Sequence, residues 1–146
     1  MIDFPTRIPF VEALGFELLR FADGAAELAI EPRAEHLNSW SVLHGGVAMT
    51  LLDVAMAHAA RAPVAGAPLD ARGVVTIEMK TSFMRPGLGR LVAHARVLRR
   101  TNTLSFCEAS LLDAWGELVA HATGTFKYLQ ALPAGGRQLE RPNASD

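Results

Sequence analysis

Residues 44–61 read HGGVAMTLLDVAMAHAAR, and the fold turns on them. No strand alternation runs from Gly45 to about Arg61, and alanine, leucine and methionine dominate, so the stretch reads as a helix. Val47, Met49, Leu51, Leu52, Val54 and Met56 cover nearly all of its sides. A helix that is apolar all round belongs in a core. Pro63, Gly66 and Pro68 then end it in a loop.

On both sides of this helix the period changes to two. Upstream, residues 6–14 read as one or two helical turns stopping at Gly15. Residues 16–21 and 25–30, split by the turn dipeptide Asp23-Gly24, read as a β-hairpin. Residues 32–43 are a loop holding Asn38, Ser39 and Ser41. Downstream, residues 74–83 alternate, with Val75, Ile77, Met79, Thr81 and Phe83 on one face and Val74, Thr76, Glu78, Lys80 and Ser82 on the other. Pro86, Gly87 and Gly89 interrupt the pattern, and residues 91–98, 104–112 and 117–128 read as three further strands. The order predicts an α+β fold: one long central helix wrapped by a mostly antiparallel curved sheet of about six strands. Residues 1–130 form a single domain in this reading. Residues 131–146, rich in proline, glycine and polar side chains, read as a flexible tail.

Composition narrows what such a domain does. Fifteen acids against 14 Lys and Arg leave a formal net charge of −1, without the basic excess that phosphate neutralisation demands, so no nucleic-acid partner is expected. One cysteine excludes an internal disulfide framework and fits a reducing cytoplasm. Half of the 146 residues are hydrophobic and only 20% are charged, more apolar surface than a domain of this size hides. Either a membrane or another subunit must take the excess. The most apolar run, residues 42–60, is broken by His44, Asp53 and His58, which makes a bilayer span costly. The opening MIDFPTRIPF has an acid at position 3 and prolines at 5 and 9, and it does not read as a signal peptide. Self-association, as a dimer or a dimer of dimers, is therefore expected.

Chemistry concentrates on the helix. Asp53 interrupts its apolar surface, and its polar neighbour at helical spacing, Thr50, cannot neutralise it. Such an acid meets an arginine from elsewhere in the fold, lies on an exposed sliver of the helix, or is kept for a reaction. His44, Gly45 and Gly46 open the helix. The two glycines make either a tight entry or an oxyanion hole, since first-turn amides are unpaired donors at the positive dipole end. Metal binding is excluded within the helix: His44 and Asp53 stand about 180° apart around it, and Asp53 and His58 about 140°. Cys107 has no second cysteine, and no G-x-S-x-G elbow, G-x-G-x-x-G or P-loop is present. Gly45 and Asp53 lie eight residues apart, about 12 Å along the axis, so one carbonyl cannot touch both. If both act on one substrate, they come from two subunits whose helices run antiparallel about a two-fold axis.

Three segments carry a resemblance: Asn38 with HGGVAMTLLDVA (44–55), TIEMKTSFMRPG (76–87) and GELVA (116–120). Together they resemble the hotdog-fold acyl-CoA thioesterases of the PaaI-like, phenylacetate-pathway branch, over roughly residues 10–128. The resemblance implies hydrolysis of an acyl-CoA thioester with no cofactor beyond the coenzyme A of the substrate. It implies Asp53 as general base or nucleophile and the Gly45 N–H as oxyanion donor. Asn38 would stand near the thioester or the attacking water, and Thr76 would help hold that water. His44 would position either the substrate or the loop. Coenzyme A contacts would fall on Phe83, Met84, Arg85, Pro86 and Gly87 and on Arg99, Arg100, Thr101 and Asn102, with Gly46 and Glu78 beside them. The three arginines suit phosphates, or else line a solvated face. Arg100-Thr101-Asn102 replaces a frequent glycine-plus-basic turn of the family. A lining of Met49, Met56, Phe83 and Met84 admits aromatic or medium-chain acyl groups. Two rival readings are dehydration of a hydroxyacyl thioester and a non-catalytic acyl-CoA sensor.

Overall fold

A computed structural model describes residues 1–68, 70–130 and 137. The elements are α1 (Pro9–Leu14), β1 (Glu17–Ala22), β2 (Ala25–Ile30), a 3₁₀ turn (Ala34–His36), α2 (Gly45–Arg61), β3 (Gly73–Phe83), β4 (Leu91–Arg100), β5 (Leu104–Leu112) and β6 (Leu118–Leu129). Pro9 opens α1 and Gly15, at φ 70°, closes it in the left-handed region. The β1–β2 turn has positive φ at both Asp23 and Gly24, the backbone that a tight hairpin between twisted strands requires.

The six strands form one sheet in the order β1-β2-β4-β5-β6-β3, every neighbouring pair antiparallel. α2 touches all six. Leu51, Leu52 and Met56 of α2 pack with Leu28, Ile30, Leu91, Leu111 and Phe126 of the sheet in one core. This is the hotdog fold that the sequence predicts. The tail assignment, residues 131–146, lies outside the described residues except for Arg137.

Two expectations are corrected. First, α2 is not buried all round. Met49, Thr50, Asp53 and Ala57, three to four residues apart on one side, are only half-buried, because the sheet curls around the helix without closing over it. Second, β3 does not alternate evenly. Thr76 pairs with Phe126 but Glu78 pairs with Thr125, so Ile77 is a bulge. Directly paired residues share a face. Thr76 therefore turns to the helix side with Phe126, while Glu78 turns to the outer side with Thr125. The bulge puts Thr76, Met79, Thr81 and Phe83 on one face of β3 and separates Thr76 from Glu78, where an unbroken period of two puts those two together. β3 is also an edge of the sheet, with Ile77, Phe83 and the following Met84 exposed.

Candidate active site

A wired loop delivers the chain to the start of α2. Asn38 Oδ1 accepts the Trp40 N–H at 2.9 Å and the Val42 N–H at 3.4 Å, folding residues 38–42 into a tight turn. The Leu43 N–H donates to the Gly87 carbonyl at 3.1 Å, and the His44 N–H donates to the His36 carbonyl at 2.8 Å. Gly87 is needed there because a Cβ would come to 3.1 Å from that of Leu43 and 3.0 Å from a Leu91 methyl. Asn38 is thus engaged through its oxygen, and Gly87 acts as the floor of this loop.

His44 is the N-cap of α2. Its ring Nδ1 accepts the Gly46 N–H at 2.8 Å. The Val47 and Ala48 N–H groups donate to the His44 carbonyl at 3.0 and 3.1 Å. Among the described residues the Gly45 N–H has no acceptor. Its Cα lies under the Phe83 ring, whose nearest atom would stand 3.5 Å from a Cβ placed there.

Two turns along the same helix, Asp53 accepts a hydrogen bond at Oδ1 from the Thr76 hydroxyl, 2.7 Å away. Oδ2 carries no bond from the described residues. Burial pushes the Asp53 carboxyl above the usual aspartate range, and the Thr76 hydrogen bond works against that rise. Asp53 meets no arginine among the described residues, so the ion pair is not the fate taken; the carboxylate sits instead on the half-open side of α2.

The remaining sequence-derived residues divide. Glu78 accepts the Thr125 hydroxyl at 2.7 Å on the outer face and is not gathered with Asp53. Arg85 donates to the Leu118 carbonyl at 3.2 Å and lies 3.6 Å from the Glu117 carboxylate. Arg100 donates to the carbonyls of Ala60 at 2.8 Å and Ala59 at 3.5 Å, so it caps the C-terminus of α2. Thr101 Oγ1 accepts the Leu104 N–H at 2.9 Å and closes the β4–β5 turn, while the Asn102 carbonyl accepts from Arg72 at 2.6 Å. Arg99 is exposed and has no partner among the described residues. Residues 83–88 sit at the Gly45 end of α2 and residues 99–104 at the Ala60 end, about 22 Å apart along its axis. Among the described residues no three His, Cys, Asp or Glu side chains gather as a metal site. Among the described residues no helix is long and apolar enough to cross a membrane.

Sequence reasoning passes over two buried polar atoms. Thr81 Oγ1, on the helix-facing row of β3 between Thr76 and Phe83, has no hydrogen-bond partner among the described residues. Nor has Nε2 of His58, whose ring sits edge-on to Phe4 and Phe21 and bonds the Val54 carbonyl through Nδ1 at 2.7 Å. A hydroxyl within an otherwise apolar row is a readable signal for the first. The second sits against the rings of Phe4 and Phe21, which come from far away in the chain.

Comparison with known proteins identifies the family and the fold. The thioesterase superfamily model matches residues 41–120, from just before α2 to the start of β6. The medium/long-chain acyl-CoA thioesterase YigI of Escherichia coli is 30% identical over 139 residues, covering 84% of this chain and 87% of that one. A variant of the phenylacetic acid degradation protein PaaI of Thermus thermophilus superposes with a TM-score of 0.71 at 33% identity, covering 84% of this chain and all of that one. A conserved protein of Pseudomonas aeruginosa superposes with a TM-score of 0.77 at 29% identity, over 86% and 97% of the two chains.

Proposed function

Because the chain belongs to the thioesterase superfamily, in its PaaI-like hotdog branch, we propose that it hydrolyses an acyl-CoA thioester to the free acid and coenzyme A. The observation that carries this reading is the Asp53 carboxylate. It is half-buried, unpaired with any described cation, held by Thr76 at one oxygen and bare at the other, on the face of α2 that the sheet leaves open. Such an acid is kept for chemistry rather than for stability.

The bare oxygen serves one of two routes. Asp53 takes a proton from water as the water oxygen attacks the thioester carbonyl. Alternatively, Asp53 attacks the carbonyl first and water then opens the resulting anhydride. In both the carbon–sulfur bond breaks, the thiolate of coenzyme A takes up the proton, and acid and thiol are the products. Charge develops on the carbonyl oxygen, and the open Gly45 N–H is the donor for it; such a donor is worth about 10²–10³ in rate. Asn38 keeps its side-chain N–H₂ for the thioester or the water, since its oxygen is bound in the loop. No cofactor takes part beyond the coenzyme A of the substrate.

One protomer cannot bring Gly45 and Asp53 to the same carbonyl across about 12 Å. We therefore place the site between two subunits, with Asp53 facing Gly45 of the partner subunit across antiparallel α2 helices. The open edge of β3 and its exposed Ile77, Phe83 and Met84 support such a contact. The same two-fold brings residues 99–104 of one protomer to the end of the dimer that holds residues 83–88 of the other, and Arg99, without a partner among the described residues, is the first choice for a phosphate. A dimer of dimers is compatible with this pairing. One buried cysteine and a single-domain enzyme for coenzyme A esters fit the cytoplasm.

A panel of aromatic and medium- to long-chain acyl-CoA thioesters, read with a free-thiol reagent, tests the reading. Thiol release is expected, and D53A is expected to lose about two orders of magnitude or more while remaining folded and assembled. A protein that releases thiol from none of them, or D53A at full rate, overturns it. Enoyl product in place of thiol identifies dehydration instead.

A further inference from the structure

His44 is engaged at every group except ring Nε2. Its backbone N–H bonds the His36 carbonyl, its carbonyl accepts from Val47 and Ala48, and Nδ1 accepts from Gly46. A ring that accepts at Nδ1 carries its proton on Nε2 in the neutral form. The consequence falls on the helix start. An α-helix opens with four amides that lack intrahelical acceptors. Here the first, that of His44 itself, goes to the His36 carbonyl, the third, of Gly46, to the ring, and the fourth, of Val47, to the His44 carbonyl, which leaves the second, the Gly45 N–H, open. We propose that His44 is a positioning residue: its Nδ1 occupies the Gly46 amide and fixes the first turn, so that the Gly45 N–H alone is offered to the thioester oxygen. This rests on Gly45 as the oxyanion donor and adds the reason why it, and not Gly46, fills that role.

The two glycines support this separately. A Cβ on Gly46 would lie 3.0 Å from His44 Nδ1 and 3.2 Å from Cε1, so residue 46 is glycine to let the ring cap. A Cβ on Gly45 meets within 4 Å only the Phe83 ring, at ordinary contact distance, so the fold does not require glycine there. What needs the space over Gly45 lies outside the protomer. An open donor next to a closed one also defines where a carbonyl sits, and misplacing a reacting atom by about 1 Å costs up to about 10²-fold in rate.

Two substitutions separate the ring nitrogens. Asn carries its acceptor on Cγ, as histidine carries Nδ1, but has nothing at the place of Nε2. Gln carries its polar group one bond further out. We expect H44N to keep kcat within about threefold of wild type, and H44A and H44Q to lose about tenfold or more in kcat with KM within about threefold. Amide hydrogen exchange at Gly46 is expected to be slow in wild type and H44N and fast in H44A and H44Q. An H44N protein as slow as H44A, an H44Q protein as active as wild type, or Gly46 exchange equal in all four overturns the proposal. If the wild type releases no thiol while the exchange pattern holds, it is the hydrolase reading that fails, not the cap.

Discussion

Thr76 reaches Asp53, at 2.7 Å, because β3 slips by one residue at Ile77. Without that bulge the hydroxyl would face away from α2 with Glu78, and the carboxylate would have no donor. The hydrogen bond favours the ionised form, against the burial that disfavours it. T76V keeps the shape and removes the donor. The Asp53 carboxyl should then rise further, so the acid limb of kcat/KM should move to higher pH than in wild type, with kcat down about tenfold on the plateau. A pH–rate profile for the two proteins checks this.

The raised carboxyl also lowers stability at neutral pH. A folded-state pKa above the unfolded one means that the folded protein holds its proton more tightly. Stability from this group is therefore full below the ordinary aspartate value and is lost as pH rises through the raised one. At neutral pH an ionised Asp53 destabilises the fold. D53N should melt at a higher temperature than wild type at pH 7 and lose that advantage in acid, while its thioesterase activity collapses. Thermal melts across pH, with assembly state held constant, test it.

The helix start makes a contrast between neighbours. G45A puts a methyl where the fold leaves room, so its melting temperature should match or exceed wild type, alanine being the better helix former. Its activity should fall about 10²-fold, because the methyl stands between the substrate carbonyl and the amide. G46A should instead lose stability, by about 1 kcal/mol, because its methyl drives against the capping ring. Melting curves and thiol release on the pair distinguish a group kept for the substrate from one kept for the fold.

Much of this was legible in the residues. The helix bounds 45–61 were readable because alternation stops at Gly45 and prolines follow Arg61; the first hairpin was readable because Asp23-Gly24 suits positive φ. The separation of Gly45 from Asp53 needed only the rise of a helix. The bulge was not legible, since one extra residue leaves the polar-apolar pattern of β3 looking regular. The half-open side of α2 was not legible either, because Met49 and Ala57 flank Thr50 and Asp53 there and make the stripe look continuous with the apolar sides. The arginines could not be sorted, because what Arg100 bonds is a helix end some 40 residues away in the chain.

That sorting predicts different defects for adjacent residues. R100A removes the donor to the last carbonyls of α2 and should cost about 1 kcal/mol of stability, with little change in KM at temperatures where the protein is folded. R99A removes a side chain that holds nothing in the described fold. It should leave the melting temperature unchanged and raise KM for acyl-CoA roughly three- to tenfold, an effect that shrinks as salt rises. The opposite assignment of the two defects would place the phosphates on Arg100.

His58 gives the acid side of the stability curve. Burial holds its ring far below the ordinary histidine value, at about 4, and neutral. Nδ1 bonds the Val54 carbonyl, so that nitrogen is the donor, and Nε2 is left bare among Phe4, Phe21 and the core. A proton on Nε2 would bury a charge without an acceptor. Because the folded pKa lies below the unfolded one, the unfolded chain binds the extra proton first. Stability is full above about 6.5 and is lost as pH falls toward 4, by on the order of 3 kcal/mol for this one group. The Phe4 contact ties the loss to the N-terminal segment, whose Thr6 hydroxyl accepts from Arg61 at 2.9 Å on the next turn of α2. H58F fills the same space without a titrating group. Between pH 6.5 and 4 the wild type should lose clearly more stability in denaturant melts than H58F, and the N-terminal residues should be the first to become accessible to protease. Equal slopes for the two proteins would show that the acid sensitivity of the fold lies elsewhere.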